Sequence, residues 1–325
     1  MNKTHFLLLI IPFLFFSCLK KNEKIHQHKN SSKINTISII IDDQLWYGEV
    51  GDSIRNKFAS PVVGLIQEEP LFTINQYPAK LLEGFMTDGR NIIVVKKTNV
   101  TKFEITKNVY TSPQNVFRIS GKSVSDIINA FEIHTPQIIR IIRETEIAEC
   151  QRINSKSLLN RAILNNKFHI KLDVPTGYNY VLHKRNFIWL KKEMVSGSTS
   201  LLIYQVPINN ITKNSDIVGN IVRMRDSVGR YIKGREPNTR MITEEAYAPY
   251  FSKITIDGKN AFETKGTWDL RNDFMTGPFI NYAIIDKAYN RILVLEGFCY
   301  SPSHEERDSM LELEAIIKSV KINNR

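Results

Sequence analysis

One apolar run, at the N-terminus, sets the main constraint on how this 325-residue chain folds. Phe6 to Phe16 is apolar throughout, is about eleven residues long and follows Lys3. About 20 helical residues are needed to cross a bilayer, so the run is too short for a stable span and matches the apolar core of a secretory leader. No second run of this kind follows, which excludes a multi-span membrane protein.

The composition indicates a folded chain of about two domains. Hydrophobic residues make up 42% and charged residues 24%, which excludes disorder, collagen and coiled coil as descriptions of the whole chain. A single core seldom grows past about 250–300 residues, so the length of the chain favours two domains. Three Cys are too few to form a disulfide scaffold in a chain of this length.

Ser17 and Cys18 follow the apolar run directly. This arrangement resembles the lipobox of bacterial lipoproteins, over about the first 18 residues. The resemblance implies that residues 1–17 are a signal peptide and that Cys18 becomes the first residue of the mature protein. Cys18 would then carry a diacylglyceryl thioether and a further acyl chain on its amino group. A plain secreted protein and an uncleaved N-terminal helix are the alternatives.

Residues 18–33 are predicted to form a disordered basic tether, because they include five Lys and almost no apolar residue. The lysines favour anionic lipid head groups, or the segment is only a solvated spacer. In bacterial lipoproteins an Asp after the lipidated Cys commonly signals inner-membrane retention, and Leu19 stands there instead. No acidic surface-export signal follows. The resemblance therefore implies attachment to the outer membrane, on its periplasmic face rather than on the cell surface.

The formal net charge of +11 raises nucleic acid as a partner. No zinc finger, helix-turn-helix or aromatic single-strand motif accompanies that charge, and export would remove the usual target. We therefore expect no nucleic-acid partner. The expected partners are the membrane, through the lipid anchor, and an envelope protein or glycan.

The remaining chain is predicted to form two packed α+β halves, residues 34–166 and 167–325, with mostly antiparallel sheets and flanking helices. In the first half, residues 35–41 and 92–96 are apolar and β-branched, as in buried strands. Asp52 is expected to cap a short helix that ends at Pro61. Ser123 and Asp126 have capping-box spacing at the start of a long helix, which Thr135-Pro136 is expected to interrupt and restart.

The second half begins with alternating apolar residues over 168–174, which predicts a strand with one buried face. Strands are expected over 186–191, 200–206, 251–256, 260–268, 278–285 and 291–299, and helices over 217–233 and 303–318. Asp257-Gly258 is a strong hairpin signal between two of these strands.

Two family resemblances follow from short motifs. The chain resembles an uncharacterised lipoprotein family of the Bacteroidetes, catalogued as a domain of unknown function. The residues that carry this likeness are Asp42, Trp46, Gly48, Gly51, Asp52, Glu69 to Phe72 and Arg90-Asn91. The second half also resembles PsbP-like α/β/α sandwiches, through Val174 to Tyr178 and Ile317 to Val320. The first family implies a location and no activity, and the second implies only a fold.

Motifs for catalysis, metal binding and cofactor binding are missing from the sequence. No GxSxG, GxxxxGK[ST] or GxGxxG pattern occurs, and none of the His has HExxH spacing. Adjacent acids such as Glu244-Glu245 point to opposite faces of a strand, so their adjacency does not make a catalytic pair. We therefore assign no catalytic residue, metal ligand or cofactor. A non-catalytic binding or scaffolding module is favoured, and an envelope hydrolase acting on glycan or peptide is the alternative.

Two residue sets are candidates for a binding surface, because aromatic residues with Arg are typical of binding hot spots. They are Trp46, Glu68, Glu69, Tyr77 and Arg90 in the first half, and Trp268 and Arg271 in the second. The alternative is that the Trp side chains are core and the charges cap turns. Cys150 and Cys299 are either a disulfide pair or two buried free thiols.

Overall fold

The computed structural model describes residues 28–29, 32–81, 87–244, 246 and 248–323. The predictions for residues 1–17, for Cys18 and for most of the tether therefore lie outside the described residues. Within the described ranges, every helix is too short or too polar to cross a bilayer.

Within the described ranges, the N-terminal half contains seven short or medium strands and three α-helices. They are β1 (His28–Lys29), β2 (Thr36–Ile41), α1 (Asp43–Trp46), α2 (Glu49–Phe58), β3 (Thr73–Pro78), β4 (Asn91–Lys97), β5 (Lys102–Lys107), β6 (Thr111–Ser112), β7 (Asn115–Gly121) and α3 (Val124–Asn154).

The C-terminal half is built mainly from long strands. Its elements are α4 (Ala162–Phe168), β8 (Ile170–Lys171), β9 (Asn179–Lys184), β10 (Phe187–Met194), β11 (Gly197–Pro207), α5 (Asn209–Thr212), α6 (Ile217–Gly229), β12 (Arg240–Thr243), β13 (Tyr250–Ile256), β14 (Lys259–Arg271), β15 (Thr276–Asp286), β16 (Arg291–Tyr300), α7 (Arg307–Lys318) and β17 (Lys321–Ile322).

The N-terminal sheet has the strand order β3-β2-β4-β7-β5. The pairings among β3, β2, β4 and β7 are parallel, and only β5 pairs antiparallel. Parallel neighbours require a connection that returns the chain to the same end of the sheet, and α2 forms part of such a connection between β2 and β3. Helices α2 and α3 cover one face, where they pack on Ile39, Ile93 and Phe117. The β-branched runs of β2 and β4 are buried on both faces, as parallel strands usually are.

The C-terminal sheet has eight antiparallel strands in the order β12-β14-β15-β16-β11-β10-β9, with β13 beside β14. Helices α4 and α7 pack on one face and α5 and α6 on the other, which gives a helix–sheet–helix sandwich. Asp257 and Gly258 both have positive φ and turn the chain from β13 to β14, as the sequence predicted. The predicted α+β class is confirmed, and antiparallel pairing predominates over the whole chain.

Three local predictions were wrong. The strand expected over the alternating residues 168–174 is only the two residues of β8, because α4 continues to Phe168 and His169, with a φ of 54°, ends that helix. Helix α3 runs without a break through Pro136, because buried Phe131, Ile138 and Ile142 on either side of it pack on the sheet and offset the cost of the missing hydrogen bond. Helix α2 begins at Glu49, before Asp52, whose carboxylate instead bonds the Arg55 guanidinium at 2.7 Å. The predicted capping box at the start of α3 is confirmed.

A buried ion pair fixes the start of the N-terminal sheet to α3. Both oxygens of the Glu146 carboxylate accept hydrogen bonds from the Arg90 guanidinium, each at 3.0 Å. Glu146 also accepts from the Asn35 backbone N–H at 3.0 Å and from Asn91 Nδ2 at 2.7 Å. Burial removes the water around a carboxylate, and these hydrogen bonds and the ion pair compensate for that loss. The network therefore holds the segment before β2 in place.

The two halves are joined at the first turn of α7. The Glu69 carboxylate, in the loop between α2 and β3, accepts from the backbone N–H groups of Glu306 and Arg307 at 2.6 and 3.0 Å. The Arg307 guanidinium donates to the Pro70 carbonyl at 2.8 Å, and Asn35 Nδ2 donates to Asp308 at 2.8 Å. We call the two Glu69 hydrogen bonds the Glu69 clasp.

Candidate functional site

A groove of about 790 Å³ lies between the two halves. One wall is the loop of residues 61–68, which belongs to the N-terminal half. The other wall comes from the C-terminal sheet and includes Glu244, Tyr250, Thr267, Asp269 and Thr276. We call this space the interdomain groove.

Hydrogen bonds close the loop wall at its base, and one glycine allows its tip to approach the sheet. The Val62 N–H donates to the Glu69 carbonyl, and the Leu71 N–H donates to the Ser60 carbonyl, so the loop closes on itself at its base. At its tip, Gly64 has a φ of +86°, which favours glycine. A Cβ there would lie 3.3 Å from the backbone N of Gly266 in β14, so the two backbones approach closely. The loop therefore forms a defined wall.

Two carboxyl groups meet on the sheet wall of the groove. Glu244 directly follows β12, and Asp269 lies in β14, one residue from Trp268, which pairs with Thr243. Antiparallel pairing thus brings together two acids that are 25 positions apart in the sequence. Burial, together with the hydrogen bond to the Glu244 carboxyl, raises the pKa of Asp269, while the Thr276 hydroxyl opposes the shift. The charged form of Asp269 is therefore disfavoured in this position beside Glu244.

Apolar side chains are exposed around these acids. The exposed fraction of the side chain is 47% for Val63, 46% for Ile66 and 56% for Tyr250. All three line the groove, together with Leu65. Exposed apolar side chains that are scattered are ordinary, but a contiguous set around a polar centre is typical of an interaction site.

Behind the loop wall, Glu306 lies beside the Glu69 clasp. Burial raises the pKa of Glu306 to about 7, and the neighbouring Glu69 carboxylate contributes to that rise. A hydrogen bond from the Ile66 backbone opposes it. The Glu306 side chain thus links the loop wall of the groove to the start of α7.

A second cavity, of about 310 Å³, adjoins the groove on the other side of the same loop. Arg143 of α3, Lys265 of β14 and Glu314 of α7 line it. Burial disfavours the charged form of Glu314, but Arg143, Lys265 and Lys318 outweigh that effect and lower its pKa to about 2. The Arg143–Glu314 ion pair adds an ionic connection between the two halves to the hydrogen bonds at the start of α7.

The structure places the sequence-predicted binding residues at separate positions. Glu68 is exposed and lines the groove. Glu69 is buried in the clasp, and Arg90 is buried with Glu146. Trp46 is half-buried, with the Arg55 guanidinium 4.6 Å from its ring centre. The first candidate set therefore does not form one surface.

Tyr77 lines a polar cavity of about 360 Å³ on the face of the N-terminal sheet opposite α2 and α3.

In the second set, Trp268 is 1% exposed and donates its indole N–H to the Cys299 carbonyl at 3.1 Å. Arg271 is exposed at the end of β14. For Trp268, the structure agrees with the alternative that the side chain belongs to the core.

Cys150 and Cys299 are both buried free thiols in this structure. Burial raises the pKa of each thiol to about 12, so neither is readily converted to the reactive thiolate. In the part of the chain that the structure describes, no cluster of three or more His, Cys, Asp or Glu side chains is arranged to hold a metal ion.

Sequence reasoning missed the residues that shape the groove, apart from Glu68. Val63, Ile66 and Tyr250 carry no motif, and Asp269 is separated from Glu244 in the sequence. The pairing of β12 with β14 is the only signal that joins the two acids, and β12 has four residues. Such a short strand leaves too weak a pattern to be found by periodicity.

Comparisons with known proteins give two family matches. The model of a domain of unknown function, DUF4837, matches residues 157–319, and that of another, DUF8532, matches residues 30–155. No curated protein matches the chain. The solution structure of cyanobacterial PsbP (CyanoP) from Synechocystis sp. PCC 6803 aligns with 8% identity and a TM-score of 0.32, over 47% of this chain and 86% of that chain. The predicted resemblance to domains of unknown function is confirmed; the Bacteroidetes lipoprotein origin stays a prediction.

Replacing Glu306 with Gln should remove a pH dependence of stability. The native carboxyl keeps its proton up to about pH 7, whereas the unfolded chain releases it from about pH 4.5. Between these two pH values the native state binds more protons than the unfolded chain. The contribution of the Glu306 carboxyl to the free energy of unfolding therefore falls, by up to about 3 kcal/mol, as the pH rises. Urea unfolding at about pH 5 and about pH 8 measures this difference.

Glu305→Gln, at the exposed neighbouring position, is the matched control. We expect Glu306→Gln to gain stability relative to the unmodified protein at the higher pH and Glu305→Gln to change little. An equal effect of Glu306→Gln at both pH values would show that this carboxyl is not held protonated in the folded protein.

Proposed function

Since the chain belongs to the DUF4837 family, whose description names no activity, we propose a function from the groove and the N-terminal sequence. The protein is a lipid-anchored component of the cell envelope that binds a segment of another envelope protein in the interdomain groove, without catalysis. The observation that carries this proposal is the exposed apolar rim around the Glu244–Asp269 pair.

The support for the anchor comes from the sequence. The short apolar run, with Ser17-Cys18 directly after it, matches a lipoprotein leader and its modification site. Each buried CH₂ contributes about 0.8 kcal/mol, so one acyl chain binds a membrane weakly and two or three chains attach a protein stably. Leu19 after the Cys favours the outer membrane, and the basic residues that follow, in place of an acidic export signal, favour its periplasmic face.

The chemistry of the groove favours a peptide that carries a Lys or Arg between apolar residues. A cationic group that bridges two neighbouring carboxyls favours the charged form of both. The apolar side chains of Val63, Ile66 and Tyr250 lie around that point and gain by burial. Because the pKa of Asp269 is raised in the free protein and the cation binds its charged form, affinity should rise as the pH rises.

An envelope hydrolase is the second candidate, because a pKa raised by burial and a neighbouring acid is also typical of catalytic carboxyls. The contact between the two acids argues against glycoside hydrolysis. That reaction requires two carboxyls about 5–9.5 Å apart, with the scissile bond or a water between them, whereas Glu244 and Asp269 are hydrogen-bonded to each other. The proposal therefore gives the pair a role in recognition.

The anchor predicts a specific modification of the native protein. Mass spectrometry of the N-terminal peptide should find Cys18 as the first residue, with a diacylglyceryl group and an added acyl chain. Globomycin treatment should make the form that retains residues 1–17 accumulate. Ser17→Ala, which keeps the thiol, is the control. A first peptide without fatty acid, or persistence of a normally processed Cys18→Ala protein in the membrane pellet, would contradict the anchor.

The groove predicts where a partner makes contact. A photo-crosslinking residue placed at Ile66 in native membranes should capture a discrete peptide with a Lys or Arg flanked by apolar residues. The same residue placed at Val100, which is exposed but remote from the groove lining, is the control. Asp269→Asn should reduce capture at position 66 at least severalfold, because the cation loses one of its two carboxylates, and Asp273→Asn should not.

Equal capture at positions 66 and 100 would contradict a binding role for the groove. Release of glycan or peptide fragments by the purified protein, abolished by Asp269→Asn, would establish the hydrolase instead.

A further inference from the structure

We propose that one end of the C-terminal sheet, carrying the exposed side chains of Val195 and Phe274, docks on an anionic lipid surface. This inference rests on the membrane attachment in the proposed function and adds a second contact with the same membrane. We call this part of the molecule the tip end.

The strand register places both side chains at the same end of the sheet. Val195 lies in the turn between β10 and β11, and Phe274 lies in the turn between β14 and β15. Ser198 at the start of β11 pairs with Tyr300 at the end of β16, and the end of β16 also pairs with the start of β15. About three strand spacings separate the two turns, or about 14 Å, so both can contact one flat surface.

Both side chains are fully exposed, Val195 to 104% and Phe274 to 101% of the reference area. The turn that carries Phe274 is held by hydrogen bonds. The Phe274 N–H donates to the Asp273 carboxylate at 2.7 Å, and the Leu270 N–H donates to the Met275 carbonyl at 2.8 Å. The fold thus presents a large apolar side chain to the outside on a hydrogen-bonded turn, as interfacial anchoring residues are presented.

Basic side chains surround the Phe274 turn. Arg240 at the start of β12 pairs with Arg271 at the end of β14, so both lie at the tip end. Lys233 and Arg235 precede β12 in the chain, and all four side chains are exposed. The acids in these segments and turns and in the loop after β16 are Glu193, Glu236, Asp273, Glu305 and Glu306, of which Glu306 is buried.

Two lysines lie near the Val195 turn, and both are in ion pairs: Lys191 with Glu193, and Lys192 with Glu312. The four basic residues near Phe274 make no ion pair with any residue that the structure describes. This local excess of positive charge complements anionic head groups, while apolar side chains enter the acyl boundary.

The described N-terminal segment lies near the same end. Asn35 bonds Asp308 in the first turn of α7, and α7 starts shortly after the end of β16. His28 and Lys29 pair with β6, directly before β7. His28 lies ten positions after Cys18, a distance of at most about 35 Å along the extended chain. A lipid on Cys18 and the tip end can therefore reach one bilayer, and tethering makes a weak second contact effective.

Depth-dependent fluorescence quenching tests this docking. Phe274→Trp and, separately, Val195→Trp are made in the full chain, purified from membranes and reconstituted into vesicles of phosphatidylethanolamine and phosphatidylglycerol that contain brominated lipid. Val100→Trp is the matched control, because Val100 is exposed on the turn after β4, away from the strand ends that meet α7. The signal of the unmodified protein, which has three Trp, is subtracted.

We expect at least twofold more quenching at positions 274 and 195 than at position 100, and a decrease when phosphatidylcholine replaces the anionic lipid. Equal quenching at all three positions would overturn the docking. The intact mass of the same preparation reports separately whether Cys18 is acylated. Quenching at position 274 together with an unmodified Cys18 would support the docking and refute the anchor. An acylated Cys18 without quenching at position 274 would support the anchor and refute the docking.

Discussion

The arrangement of the two halves depends on one carboxylate, that of Glu69. It accepts the two backbone N–H groups that open α7, which a helix leaves without partners at its N-terminus. A negative charge at this end of a helix is also favoured by the helix dipole. Because the cap comes from the other half of the molecule, the stability of α7 and the position of the groove loop are linked.

That link gives the groove its shape. The loop of residues 61–68 is fixed at its base by Glu69 and at its tip by the close approach of Gly64 to Gly266. Its position sets the width of the space over Asp269. The same junction buries Glu306 and places two acids side by side, an arrangement that costs stability at neutral pH. The presence of this destabilising pair of acids at the wall of the groove is expected if the groove has a function.

Much of the fold could be predicted from local patterns, because local chemistry determines these elements. The β-branched run of β2, the capping box of α3 and the Asp257-Gly258 hairpin each depend on residues close together in the sequence. The run through Pro136 could not be predicted, because packing on the sheet decided it. The parallel order of the N-terminal sheet likewise follows from crossovers that no single window shows.

The candidate site was beyond local prediction for the same reason. Glu69 and Glu306 are 237 positions apart, and Glu244 meets Asp269 only through the pairing of a four-residue strand. Glu68 was one of the residues that the sequence offered for a binding surface, and the structure places it in the lining of the groove. Arg90 has the composition of a hot-spot residue, yet its guanidinium is committed to Glu146.

Hydrogen exchange of backbone amides tests the central claim, that Glu69 fastens the groove wall to α7. In Glu69→Ala, compared with Glu68→Ala, the amides of Glu306 and Arg307 should lose protection, and the amides of the loop over residues 61–68 should lose it with them. Unchanged protection of the loop after loss of the cap would contradict the account, because the wall would then be held without the clasp.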